Sequence, residues 1–171
     1  MAPSLGRALL PEWVQVWGTS LALLPLCLYA ATTWGKTHPL FGLNLLIHEA
    51  GHLCFAALGP FLHAAGGTIL QVLVPAVVAV HFWQYRSVLG MQVGLLWLGQ
   101  NCIDVSVYVA DARRQALELL PGAEHDWHFL LARTGLLDYD LVIAYLFCVA
   151  AMLCFLGLLL LPGYATGAAD R

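Results

Sequence analysis

Two histidines four residues apart, with a glutamate beside the first, give the pattern H-E-x-x-H at His48, Glu49 and His52. On a helix, residues i and i+4 lie one above the other on the same face, so both imidazoles can bind one metal ion. The glutamate can then reach the metal's water as a general base, which is the division of labour of a zinc hydrolase. Gly51 leaves room for close backbone approach, and Asn44, one turn ahead of His48, extends the polar stripe.

The stretch that carries these residues, NLLIHEAGHLCFAALG at 44–59, is otherwise apolar. An ionisable side chain near the centre of a bilayer costs on the order of 2.5–3.5 kcal/mol. A cluster of them inside such a run therefore asks for a function, and metal binding supplies one. The bland alternative is polar glue between packed helices.

The elements that must position this cluster follow from composition. Of 171 residues, 61% are hydrophobic and 10% charged, more apolar surface than a soluble domain of this length can use. Spanning a bilayer as helix takes about 20 mostly apolar residues. Runs that qualify lie at 13–31, 40–59, 67–85, 88–110 and 141–161, separated by GKTHP, GPFLHAAGG and YRS.

The expected fold is all-α: a single polytopic membrane bundle over 1–171 with five transmembrane helices. Residues 111–140 hold much of the charge and no spanning run, and are expected at the membrane surface as two short helices broken at Pro121-Gly122. The first run follows Arg7 but contains Glu12 and lacks a good small-x-small site, so it reads as a retained span and not a cleaved signal. Trp13 and Trp34 sit where interfacial aromatics anchor a helix.

Charge excludes some partners. The formal net charge is −3 and no basic patch exists, so nucleic acid is not expected. If the spans alternate, Arg7, Arg113, Arg114 and Arg133 share one side against Lys36, Arg86 and Arg171, a slight bias toward a cytoplasmic amino terminus. The cysteines (27, 54, 102, 148, 154) all fall inside spans without a CxxC pair, and read as small apolar packing residues.

A catalytic zinc takes three protein ligands and keeps one position open. The fourth span ends in WLGQNCIDVSVYVADARR, where Asn101, Asp104, Tyr108 and Asp111 recur along one helical face. His125 and His128 of EHDWH could fold back from the surface segment, on a short helix for which Asp126 is a reasonable N-cap. His63 and His81 read as lone histidines near span ends, and His38 as a loop residue. Pro25 and Pro75 imply kinks, and AAGG at 64–67 either a re-entrant turn or an ordinary tight connection.

H-E-x-x-H in one span, with an Asn-led acidic motif two spans later, resembles the site-2 protease family of intramembrane zinc metalloproteases. In that family the second motif ends in Asp-Gly, which supplies the third ligand, and is preceded by Asn and prolines. Here it reads NCIDVSVYVADAR, with neither Asp-Gly nor proline. The ligand role therefore falls to Asp104 or Asp111. The second and fourth spans run parallel, with His52 and Asp104 each about seven residues, roughly 10 Å, from the same membrane face. Depth favours Asp104, with Asp111, His125 and His128 as alternatives.

The resemblance implies an integral, multi-pass protease, expected in a bacterial cytoplasmic membrane, that cuts transmembrane protein or peptide substrates in or near the lipid bilayer. His48, His52 and an aspartate would hold Zn2+, Glu49 would act as base, and Asn101 would orient the substrate or stabilise the oxyanion. Two other readings stand beside it. Glu49-x-x-His52 is also half of a di-iron carboxylate motif, but no second E-x-x-H accompanies it. A non-enzymatic bundle that binds metal or a partner helix is the remaining alternative.

Overall fold

The structure, a computed structural model, describes residues 11–169 apart from 33 and 35–37. Arg7, Lys36 and Arg171, on which the orientation argument partly rests, lie outside the described residues. Among the described residues there are six α-helices: α1 Glu12–Thr32, α2 Phe41–Phe55, α3 Pro60–Gln84, α4 Val88–Ala110, α5 Asp126–Thr134 and α6 Asp140–Ala169. No strand occurs among the described residues. Five segments are long and apolar enough to cross a bilayer, the exception being α5. The bundle is all-α, as the runs of apolar residues predict.

Half of the α4 span is buried, against 17–28% of the others, which makes α4 the central helix. It packs against α3 on one side and α6 on the other, and α1 closes over α4 and α6. Cys27, Cys102, Ile103, Phe155 and Leu158 fill the α1–α4–α6 core. The outward faces of α1, α2 and α6 present leucines and aromatics such as Leu46, Leu53, Tyr145 and Leu153, the surface a lipid-exposed bundle requires. All five cysteines are free.

Helix ends follow local chemistry. Ser87 accepts from the Gly90 N–H and caps α4, a side-chain oxygen meeting one of the orphan first-turn donors. Gly135, at φ 70, ends α5 with the Leu136 N–H bonded back to Leu131 O at 2.8 Å, a left-handed stop that only glycine adopts without strain. The N-cap of α5 is His125 and not Asp126: its side chain accepts from the His128 N–H.

Two expectations about the connections need correction. Helix α3 begins at Pro60, not near 67, so AAGG at 64–67 lies inside a continuous helix and forms no turn. The segment 111–140 holds one α-helix, α5, and a short 3-10 turn at Leu137–Tyr139. Pro121 and Gly122 make a turn without helices on both sides.

The glycines of α3 have a packing role instead. Gly51 of α2 faces Gly66 and Gly67 so closely that a Cβ on Gly51 would lie 2.6 Å from Gly66 C and 2.8 Å from Gly67 Cα. These are backbone atoms and cannot rotate away. Gly51→Ala should therefore push α2 and α3 apart and cost about 1–3 kcal/mol, the usual penalty of overpacking. A drop in the thermal midpoint of the detergent-solubilised protein checks this, and unchanged stability would contradict the close approach.

Candidate metal centre

Helix α2 presents His48, Glu49 and His52 together, each with a ligand atom within 4.8 Å of the others. His48 is buried on the face toward α3, where its ring rests on Gly67: a Cβ there would sit 2.5 Å from His48 Nε2. No side chain among the described residues hydrogen-bonds the Glu49 carboxylate.

A backbone carbonyl fixes which nitrogen of His52 carries its proton, and the Gln71 amide oxygen assigns the same tautomer to His48. His52 Nδ1 lies 2.8 Å from the His63 carbonyl oxygen, which can only accept, so Nδ1–H donates there. His48 Nδ1 likewise donates to Gln71 Oε1 at 3.0 Å. In the neutral rings both Nε2 atoms are then left with lone pairs.

Those lone pairs converge on a third acceptor. Asp126 Oδ2, at the start of α5, lies 3.1 Å from His48 Nε2 and 3.3 Å from His52 Nε2. Three lone-pair atoms this close repel one another unless a cation or added protons lie among them. Two donors about 2.0–2.1 Å from a tetrahedral zinc stand about 3.3–3.4 Å apart, close to the two nitrogen–oxygen spacings here. The outer contacts suit it as well, because a metal-binding histidine ordinarily donates its other N–H to a carbonyl or carboxylate oxygen. The three side chains are 9%, 13% and 14% exposed, dry enough for strong electrostatics yet reachable from outside.

The supporting contacts come from four elements. Where α2 tightens into a 3-10 turn, the Ala56 N–H bonds Leu53 O, which leaves the His52 carbonyl to accept from His63 Nδ1 at 3.0 Å. His52 and His63 thus exchange reciprocal hydrogen bonds between α2 and α3, and His63 is no lone histidine. Tyr108 near the end of α4 donates to Asp126 Oδ2 and accepts from the Asp126 N–H. Helix α5 is seated by Trp127, whose indole donates to Thr68 Oγ1, and by buried Leu130 and Leu131.

The favoured third ligand, Asp104, lies elsewhere. Its carboxylate pairs with His38 Nε2 at 3.1 Å and accepts from Asn44 Nδ2 at 3.0 Å and Gln100 Nε2 at 2.8 Å. Trp97 completes this second cluster by donating to Asn44 Oδ1. His38, read from sequence as a loop residue, is thereby a buried partner of Asp104. Asn44 faces Asp104 and His48 faces Tyr108, so α2 and α4 are indeed parallel, but the register sets Asp104 level with Asn44, two turns before His52. Counting residues from span ends misjudged the depth because α2 tightens after Phe55, earlier than the apolar run suggests.

The other candidates also have different partners. Asn101 is buried and donates to Trp97 O of its own helix, away from the H-E-x-x-H cluster. Asp111 ends α4 and accepts from the Ala116 and Leu117 N–H groups, organising the loop. His125 packs against Tyr108, rings tilted by 32° with centroids 4.3 Å apart, and directs Nε2 toward Asp111 at 3.5 Å. Burial pushes its imidazole below the ordinary range, and the nearby Asp111 charge opposes this. His128 is bonded to Ala112 O through Nδ1. EHDWH does fold back over the cluster, but it brings Asp126 to the ring nitrogens.

Sequence reasoning thus missed Gln71 and the placement of Asp126 against the two histidines. A buried glutamine in an apolar span was a readable signal for the first. For the second the signal was an aspartate flanked by His125 and Trp127 in a segment already expected at the membrane surface. The chain matches no protein-family model, and no curated protein or solved structure is detectably similar to it.

Proposed function

We propose that this chain is an intramembrane zinc metalloprotease that hydrolyses peptide bonds in or near transmembrane segments. One observation carries the reading: His48 Nε2 and His52 Nε2 lie 3.1 and 3.3 Å from the same oxygen, Asp126 Oδ2, with Glu49 beside them. The likeness of H-E-x-x-H in a span to the site-2 protease family supports the same choice of substrate.

Zinc held by these residues would supply Lewis acidity, lowering the pKa of water and polarising a carbonyl. The chain's own residues supply the rest. Glu49 takes the proton of the attacking water on its carboxylate and returns it to the leaving amine. Gln71 and the His63 carbonyl hold the histidines in the binding tautomer.

Location supports a membrane-proximal substrate bond. His52 lies three residues before the end of α2 and Tyr108 two before the end of α4, about 3–5 Å along each axis. A peptide bond at that level sits close to the bilayer surface bearing residues 111–125. There, water is available and a substrate helix has fewer internal hydrogen bonds to break.

The test uses the purified protein in proteoliposomes with a panel of transmembrane peptides, read by mass spectrometry. Cleavage near a span end, abolished by a zinc chelator and restored by added Zn2+, is the expected result. A metal-loaded protein that cleaves no peptide of the panel would leave the metal a structural role and overturn the protease reading.

A further inference from the structure

The reading of His48, His52 and Asp126 as a ligand set leaves open how an aspartate on a nine-residue surface helix is aimed at two histidines inside the bundle. Asp126 is the first residue of α5, so its own N–H is one of the donors that an α-helix cannot satisfy internally. His125, the N-cap, satisfies the His128 N–H instead. Tyr108 takes the remaining part: its hydroxyl accepts from the Asp126 N–H at 3.0 Å and donates to Asp126 Oδ2 at 3.2 Å.

We propose that Tyr108 is the positioning residue of the metal centre, a hydroxyl clamp that fixes both the backbone and the carboxylate of Asp126 against His48 and His52. The clamp is itself held. The Tyr108 ring packs against His125, tilted by 32° with centroids 4.3 Å apart, and stands edge-on to His48 at 6.0 Å, so the phenol has little freedom to swing. It is carried by α4, the central and most buried helix, and so ties the surface segment to the middle of the bundle. The donated hydrogen bond goes to the same oxygen that faces both Nε2 atoms. It therefore selects that oxygen for the ring nitrogens and sets the carboxylate's rotation.

This role rests on the metal reading and acts through Asp126, which makes it separable from a merely structural one. Co2+ affinity of the full chain in detergent, measured by visible absorption, should fall about 10–100-fold in Tyr108→Phe, the usual effect of losing an outer-shell partner. In an Asp126→Asn background the same change should have almost no further effect, because residues acting through one another are not additive. Thermal unfolding of the metal-free proteins, run alongside, identifies the temperature at which every variant is fully folded for these titrations.

Undiminished Co2+ binding by Tyr108→Phe, or equal losses in both backgrounds, would overturn the role of Tyr108 while leaving the metal centre in place. A wild-type protein that takes up no Co2+ would overturn both.

Discussion

Glu49→Gln is expected to lower peptide hydrolysis by about 10²–10⁴-fold, the range for loss of a general base, and to leave the metal content unchanged. Glutamine keeps the size and polarity of the side chain but cannot accept a proton. No hydrogen bond among the described residues involves the Glu49 carboxylate, so the substitution breaks no supporting contact. Its neighbours on α2, His48 and His52, retain their own partners, Gln71 and the His63 carbonyl. Chelator-sensitive cleavage and elemental analysis of one preparation check both halves. Full activity in Glu49→Gln would move the base to another group.

Asp126→Ala should lose the metal, whereas Asp104→Ala should keep it. Removing an outer-shell partner of a metal site costs about 10–100-fold in affinity. Removing a ligand costs more, so two histidines alone should hold zinc more than about 100-fold less tightly. Asp104 answers to a different cluster. Its loss removes the acceptor that His38, Asn44 Nδ2 and Gln100 Nε2 share; Asn44 keeps its bond to Gln100 Oε1 and Gln100 its contact with His38, so the cost is that of one or two N–H groups short of a partner, about 1–3 kcal/mol each. Asp104→Ala is therefore expected to unfold at lower temperature with its metal affinity intact. Competition against a chelating dye, together with thermal unfolding, separates the two outcomes. The opposite pattern would return the ligand role to Asp104.

The parts of the fold and site that the sequence made legible are those set by local spacing. Apolar runs at 13–31, 88–110 and 141–161 became α1, α4 and α6, because in a bilayer a long apolar segment must satisfy its backbone within itself. H-E-x-x-H gathered at once, since i and i+4 meet on any helix. The polar face of α4 was equally readable: Asp104, Tyr108 and Asp111 all turn toward polar partners.

What the sequence hid was relation between elements. The register of α2 against α4 decides whether Asp104 or Tyr108 stands opposite the histidines, and one helical turn separates the alternatives. The close approach of Gly51 to Gly66 and Gly67 sets where His48 meets Gln71, and nothing in either helix alone states it. Asp126 was noticed as a helix cap because local rules describe what an aspartate does for its own helix. Its contact with His48 and His52, 78 and 74 residues earlier in the chain, depends on how α5 folds back on the bundle.

The central claim is that His48, His52 and Asp126 together hold one zinc ion. Elemental analysis of the purified wild-type chain, beside His48→Ala and Asp126→Ala prepared in the same way, tests it most directly. One zinc per chain is expected in the wild type, with none retained by either variant. Wild-type protein without stoichiometric metal would contradict it, as would two irons per chain or zinc kept in full by Asp126→Ala.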